Sequence, residues 1–585
     1  MTGRNAKSGA ALLAAAVFVA LAAAAGGVAS RLDRRAAAPA EEGARASASS
    51  ESAVQRDYDE AVSVVTDNYA DDIDYEKATQ SAIQGMLSTL DPHSSFFTKA
   101  DFDRLRQDHE SKFYGIGVSI LRRRDAVYVQ SVVQNTPAAR AGLRYGDRIV
   151  EVDGKDAREW TSEQVSKAVR GERGEPVRVK VERAGSQAPL YFTIVRDAVP
   201  LPSIRTSFMI RPGTGYVALT GGFTQTTADE LQEALAALEE QGMRQIVLDL
   251  RNNPGGLLPQ AIKVSGQFLP RGYKIVSVKG RTENGGQTVV YKNTEYDAPQ
   301  EHPLVVLVNR NSASASEIVA GAIQDHGRGL LVGERTFGKG LVQHVFELKP
   351  WGCGLTLTTQ KYFTPYGRSI QRDYSSGSLY DYYVRHDADD EPQPQTPISP
   401  TSAQENPAGE GPRAAPSPEA KPAGPPVTTA AGRVFYGGHG ITPDIEVKPL
   451  DLTRPARARI FDAAFFFTRE LAAGQIHGLE NYGVERVQYG QQPRASDFPV
   501  NDRVLEAFRA YVRKESAQLG LTAAQVEGDL DYARLRLRDE IITAAYGQEA
   551  GQRTLLDSDP QLLRALEAFP DARRLAEMAR NTSTS

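Results

Sequence analysis

Lys339 lies in "GERTFGKG", Gly333 to Gly340, one residue away from a phosphate-binding loop. The last position is Gly340 where that loop carries Ser or Thr, so the Mg²⁺ ligand is missing, and no clear phosphate-facing helix follows Lys339. The other chemistry open to a lysine is that of a base: in a Ser-Lys pair a neutral amine does the work of imidazole. An ordinary lysine is uncharged only about four times in ten thousand at pH 7. Lowering its pKa by roughly 3 units costs about 4 kcal/mol, which burial among apolar groups can impose. Phe337, Leu341 and Val342 flank it, and Gly338 and Gly340 let the backbone approach closely. Upstream, "NRNSASASEIVAGAIQDHG" offers Ser312, Ser314 and Ser316, and composition does not choose among them. Ser314-x-x-Glu317 also spells a capping box, which fits a nucleophile as well, because a helix N-terminus stabilises developing negative charge. Donors for an oxyanion are the backbone N–H of Ala315 and that of Gly255 or Gly256 in "RNNPGG", where Pro254 sets the turn. Asp325 and His326 are adjacent, so on a helix they point in different directions and complete no Ser-His-Asp triad.

The elements that must hold these residues follow from pattern. "GYVALTGGF", "QIVLDL", "PLVVLVN" and "GLLVGE" are short, nearly unbroken apolar strands, and "TADELQEALAALEEQG" between the first two is a helix with Thr227 and Glu230 as its capping box. Strand, helix, strand at this spacing predicts a buried, largely parallel α/β sheet. Were "KGLVQ" a flat strand, Lys339 and Gln343 would share a face but stand about 13 Å apart, so their meeting requires a bend at Gly340. Residues 112–196 carry five strand-like stretches and one short helix, "TSEQVSKAVRG", opened by a Thr161 to Gln164 capping box.

That last unit resembles a PDZ domain, with Tyr114, Gly115, Ile116 and Gly117 where the family keeps its carboxylate-binding loop and "TPAARAGLRYGDRIVEVDG" its most recognisable stretch. Such a loop holds a peptide's terminal carboxylate on backbone N–H groups while the peptide adds as a strand. "NSASASEIVAGAIQDHGR" with "GERTFGKGLVQ", and also "LDPHSSFFT", "DLRNNPGGLL", "TPYGRSIQ" and "GGHGITPDIEV" in that order, resemble the C-terminal processing (tail-specific) proteases of the S41 serine peptidases over roughly residues 55 to 450. The resemblance implies Ser314 as nucleophile, 25 residues before Lys339 as base, with Gln343 orienting the lysine. It also implies Glu317, Asp325 and Thr336 as residues that steady the site. The fold it implies is α/β, a ClpP/crotonase-like peptidase core with an inserted PDZ domain and flanking helical regions. The substrates it implies are proteins with free apolar C-termini, and it leaves room for an adaptor lipoprotein and a homodimer. Two other classes share these features: a non-catalytic PDZ scaffold, and a crotonase-like acyl-transfer enzyme with an oxyanion hole but no nucleophile.

The chain has 585 residues, more than one core usually supports. A formal charge of -5 gives no sign of nucleic-acid binding, one cysteine permits no internal disulfide, and eight histidines form no H-E-x-x-H pattern. No metal and no organic cofactor is expected. Arg4 and Lys7 precede an uncharged run to Ser30, which predicts an exported protein of the periplasm or cell envelope, with 1–30 a cleaved signal or an inner-membrane anchor. The expected sequel is a linker over 31–54, helices over 55–111, the PDZ domain over 112–196 and the peptidase core over 197–384. A Pro- and Ala-rich disordered insertion over 385–432, the end of the core over 433–450 and a helical region over 451–585 complete the chain.

Overall fold

The computed structural model describes residues 42–103, 112–124, 126–281, 288–348, 352–374, 382, 424–452, 454–494 and 496–583. The expected leader and residues 385–423 of the expected insertion lie outside them. Among the described residues no helix is long and apolar enough to cross a membrane. The chain forms two compact units, one reaching to Ser81 and one spanning Ala82–Ser585. The first carries the helix Glu42–Asn68, which starts inside the stretch expected as linker. Alanine is the strongest helix former, and a small-residue run rich in it is as compatible with a helix as with a linker.

In the second unit, six strands lie in the order Ile204–Arg211, Thr214–Leu219, Gln245–Asp249, Leu304–Val308, Leu330–Gly333, Ile445–Glu446, the first pair antiparallel and the rest parallel. Their side chains alternate between two cores. Leu248, Val306 and Leu331 face the helices Thr227–Glu240, Leu258–Gly266 and Ala315–Asp325, while Val247, Leu307 and Val332 face Leu562, Phe569 and Ala572 of the last two helices. Burial on both faces is why these strands read as unbroken apolar runs. A second, antiparallel sheet joins Ser95–Phe97, Cys353–Phe363, Lys274–Gly280 and Val289–Lys292, with Leu341–Leu348 also paired to Cys353–Phe363.

The PDZ-like sheet runs Val118–Arg123, Ala126–Val132, Arg148–Val152, Pro176–Glu182, Leu190–Val195, and its first strand is an open edge among the described residues. The helix Ser162–Val169 has the expected capping box at Thr161 and Gln164, but a second short helix, Pro137–Ala141, is present where none was predicted. Thr136 and Pro137 start it, as Pro does at a first helical position. The capping box expected at Thr227 and Glu230 is not formed. Thr226 is the cap residue, the Thr227 hydroxyl accepts from Thr224 N, and Glu230 accepts Ile204 N. Pairing with a neighbouring strand has outbid the local motif. Folded structure also resumes earlier than expected after the insertion. Pro426–Thr428 pairs with Val434–Tyr436 through a turn at Gly432, so 424–432 belong to a hairpin closed by β-branched residues.

Candidate active site

The strand Leu304–Val308 delivers a turn, and Ser314 ends it at φ 55° and ψ -113° before the helix Ala315–Asp325, every residue of which is buried. A left-handed φ on a residue with a side chain costs about 1–3 kcal/mol and persists only where the surroundings impose it. Here they do. Ala313 N and the Ser316 hydroxyl both donate to Asn253 O, at 3.0 and 2.9 Å, and the Ser312 hydroxyl donates to Leu250 O at 2.8 Å. Ser312 and Ser316 are therefore fully buried and committed to backbone, while Ser314 is partly exposed. Of the three serines that composition left open, Ser314 is the one with exposed surface.

Glu317 joins the serine to the lysine. Its carboxylate is buried and accepts four hydrogen bonds: Ser314 N at 2.9 Å and Lys339 N at 2.8 Å on Oε2, Thr336 Oγ1 at 2.6 Å and Gly338 N at 2.7 Å on Oε1. One oxygen thus holds both backbones, which places the amide nitrogens of Ser314 and Lys339 within about 6 Å of each other. Burial pushes the Glu317 carboxyl up, against these donors. Gly338, at φ 88°, makes the approach possible, since a Cβ there would stand 3.1 Å from Gly440 N. Burial also holds the Lys339 amine below its ordinary value, with the charges of Glu317 and Asp91 pulling the other way. Behind them, the Tyr362 hydroxyl is buried, which raises its pKa, and it lies beside the Ser314 side chain without closing a hydrogen bond of ordinary geometry.

The loop "RNNPGG" sits directly against this turn: a Cβ on Gly255 would be 2.7 Å from Ser314 Cβ and 2.8 Å from Ala315 N. Gly255 N donates to Asn253 Oδ1 at 2.9 Å, so its amide is already taken. The amides of Gly256 and Ala315 make no hydrogen bond among the described residues. Gln343 is brought near the site but not onto the lysine: its amide donates to Thr358 Oγ1 at 3.1 Å. The chain from Glu334 to Gly340 is irregular, Gly340 packs against Gln371, and the strand that follows carries a bulge between Val342 and Gln343. The bend predicted at Gly340 thus takes the form of a coil ending there plus a bulge two residues on. Asp325 lies at the far end of the helix, where it pairs with buried Arg368 and accepts Tyr366 N, and His326 hydrogen-bonds to Lys274 O at 2.7 Å.

One group near the lysine escaped sequence reasoning. In the turn Asp91–Ser94, Asp91 accepts His93 N, Ser94 N and the Ser94 hydroxyl, and that hydroxyl in turn accepts Thr358 N. His93 Nε2 is 2.8 Å from the Tyr382 hydroxyl, and burial, then the charge of Lys339, pushes its imidazole down to about 3. An Asp-Pro dipeptide with a serine three residues after the Asp is an Asx-turn signal, which marks the turn but not what it packs against. In the PDZ unit the carbonyls of Ile116 and Gly117 accept Ala138 N and Val133 N, while Tyr114 and Gly115 pair with Ala198 and Asp197.

Residues 213–384 match peptidase family S41 and residues 128–183 match the PDZ domain family. The chain is 39% identical over 302 residues to a carboxy-terminal-processing protease of Bartonella bacilliformis, covering 51% of this chain and 68% of that one. It is 36% identical over 300 residues to a carboxyl-terminal-processing protease of Synechocystis sp., covering 50% and 69%. The PDZ domain of the carboxy-terminal protease from Vibrio cholerae, solved in complex with peptide, is 31% identical over 15% of this chain and 99% of that domain, with a TM-score of 0.15. A serine at a strained helix N-terminus, tied through Glu317 to the backbone of a half-buried lysine inside a sequence with these relatives, leaves one assignment: the chain belongs to the S41 serine peptidases, among the carboxy-terminal-processing proteases.

Proposed function

We propose that this serine peptidase works through a Ser314–Lys339 dyad on proteins captured by their free, apolar C-termini, in the cell envelope. The observation that carries the dyad is the single Glu317 oxygen shared by the backbone N–H groups of Ser314 and Lys339. Neutral Lys339 takes the Ser314 proton as Oγ bonds to the scissile carbonyl carbon. The tetrahedral oxyanion is received by the amides of Gly256 and Ala315. The C–N bond then breaks, the amine leaves with the proton from Lys339, and water, deprotonated by the same amine, hydrolyses the acyl-enzyme. Capture is supported by the open edge strand Val118–Arg123 and by the loop before it. With the Ile116 and Gly117 carbonyls engaged inside the domain, their amides are the groups left for a terminal carboxylate. Residence in the envelope is supported by the charged start and uncharged run of residues 1–30.

The test is turnover of one unstructured peptide and its C-terminally amidated twin by wild type, Ser312→Ala, Ser314→Ala and Ser316→Ala. Only Ser314→Ala should abolish cleavage, and the amidated twin should turn over more slowly. Residual turnover in Ser314→Ala sinks the dyad; equal turnover of the twins sinks capture by the C-terminus.

A further inference from the structure

The loop Asp249–Gly256 is wired at nearly every residue. Arg251 grips Asp249 through Nε and Nη2, and Tyr216 donates its hydroxyl to the same carboxylate. Asn252 stands at φ 58°, donates its amide to Asn309 Oδ1, and accepts Nδ2 of both Asn309 and Asn311 at 2.9 Å, which ties it to the turn that ends in Ser314. Asn253 donates to Leu219 O and accepts Gly255 N. One guanidinium edge faces elsewhere. Arg251 Nη1 donates to Asp559 at 2.6 Å and to Gln561 Oε1 at 2.9 Å, both far beyond the region that matches the peptidase family. Asp559 divides its two oxygens. Oδ1 caps the helix Pro560–Glu567 by accepting Gln561 N and Leu562 N, and Oδ2 is given to Arg251. The side chains are only 13% and 17% exposed, so the contact is largely shielded from water.

We infer that Asp559 is a positioning residue for the proteolytic reaction: from the C-terminal helices it holds Arg251 and with it the loop whose Gly256 amide receives the oxyanion. This rests on the assignment of Gly256 in the proposed function. Its physical basis is that an oxyanion donor counts only if it is aimed before the charge develops, so a loop free to relax loses rate and not substrate binding. The Asp559–Arg251 contact adds a restraint from outside the peptidase core to a loop that carries a left-handed asparagine and would gain backbone freedom by relaxing.

The divided carboxylate makes a clean experiment. Asp559→Asn keeps a capping oxygen, since Asn caps as well as Asp, but turns an NH₂ group toward Arg251. In the full-length protein it is expected to lower kcat on the order of tenfold, a fraction of what losing an oxyanion donor costs. KM should hold, the variant should remain fully folded at the assay temperature even if its thermal midpoint drops, and Asp559→Glu should recover part of the rate. Unchanged kcat in Asp559→Asn overturns the inference, as does a fall in kcat that is matched by the fraction of the variant unfolded at the assay temperature. Gly256→Ala, whose Cβ would meet Phe223 O at 2.2 Å, separates the two levels. Wild-type kcat there removes the oxyanion assignment itself, whereas an inactive Gly256→Ala beside a fully active Asp559→Asn removes Asp559 alone.

Discussion

At Lys339 burial and charge work in opposite directions, and the sign of each decides what pH will do. The amine sits below the ordinary lysine value of 10.5 because burial penalises the ammonium more than Glu317 and Asp91 favour it. The fold therefore shifts the balance toward the neutral form. As the proposed general base it should gain activity as pH rises, along a limb of kcat/KM that lies below 10.5. For stability, a depressed folded pKa means a contribution fully present above the unfolded value and lost as pH falls through the folded one. At neutral pH the lysine weakens the fold it serves. Lys339→Met, of similar length and uncharged, is expected to be inactive yet more stable than wild type at pH 7, with the difference shrinking as pH rises toward 10.5. Denaturant unfolding at both pH values measures it, and a variant less stable at pH 7 would mean that the ammonium is well solvated.

The helix Ala315–Asp325 and the coil Glu334–Gly340 are two elements held as one by a carboxylate, and the capping box is the part of that arrangement the sequence shows. Ser314-x-x-Glu317 is legible because a cap is local, four residues long. That the same carboxylate also takes Gly338, Lys339 and the Thr336 hydroxyl is not, because these donors lie 19 to 22 residues on and arrive by tertiary packing. Four of the five parallel strands were legible from their apolar runs, since burial on both faces leaves no polar alternation. That Ser312 and Ser316 are tied down could not be read from composition, because their hydroxyls donate to carbonyls of Leu250 and Asn253 more than 60 residues upstream. The bulge beside Gln343 arises in pairing with Cys353–Phe363, which no local pattern announces. Glu317→Gln tests the joint. The exchange puts an NH₂ group against N–H donors, leaving at least one pair buried and unsatisfied, which costs about 1–3 kcal/mol. It is also expected to lower kcat by about two orders of magnitude, since the helix cap survives in part but the serine and lysine backbones are no longer drawn to one atom. Near-normal kcat in a protein that unfolds at the usual denaturant concentration would show that the carboxylate is only a cap.

Across the whole second unit, the C-terminal helices do two jobs: the last two cover one face of the parallel sheet, and those from Pro455 to Tyr546 hold the PDZ domain. The hold is concentrated at Arg123, the final residue of the open edge strand. Its side chain is 1% exposed, donates to Asp462 at 2.7 Å, lies 3.7 Å from Glu540, and puts its guanidinium carbon 4.3 Å from the ring centroids of both Phe461 and Phe465. Glu540 is also bound by the Tyr145 hydroxyl and by Arg536. Apolar packing adds Tyr128 edge-on to Phe465 and Phe466. Removing one partner of a buried ion pair costs about 3–5 kcal/mol, because the remaining charge is left without compensation, whereas a surface cation over a ring is worth about 0.5–1. Arg123→Ala should therefore release the PDZ domain from the helices, raising the radius of gyration in solution scattering and opening the segments that flank the domain to protease. Arg124→Ala, which removes only an exposed guanidinium 4.1 Å over Phe466, should leave both unchanged. The strand that Arg123 ends is the one proposed to receive the peptide, so release should also flatten the difference in turnover between a peptide and its amidated twin. If scattering is the same for both variants, the aromatic contacts of Tyr128 suffice to dock the domain and the buried charge at Arg123 does not hold it.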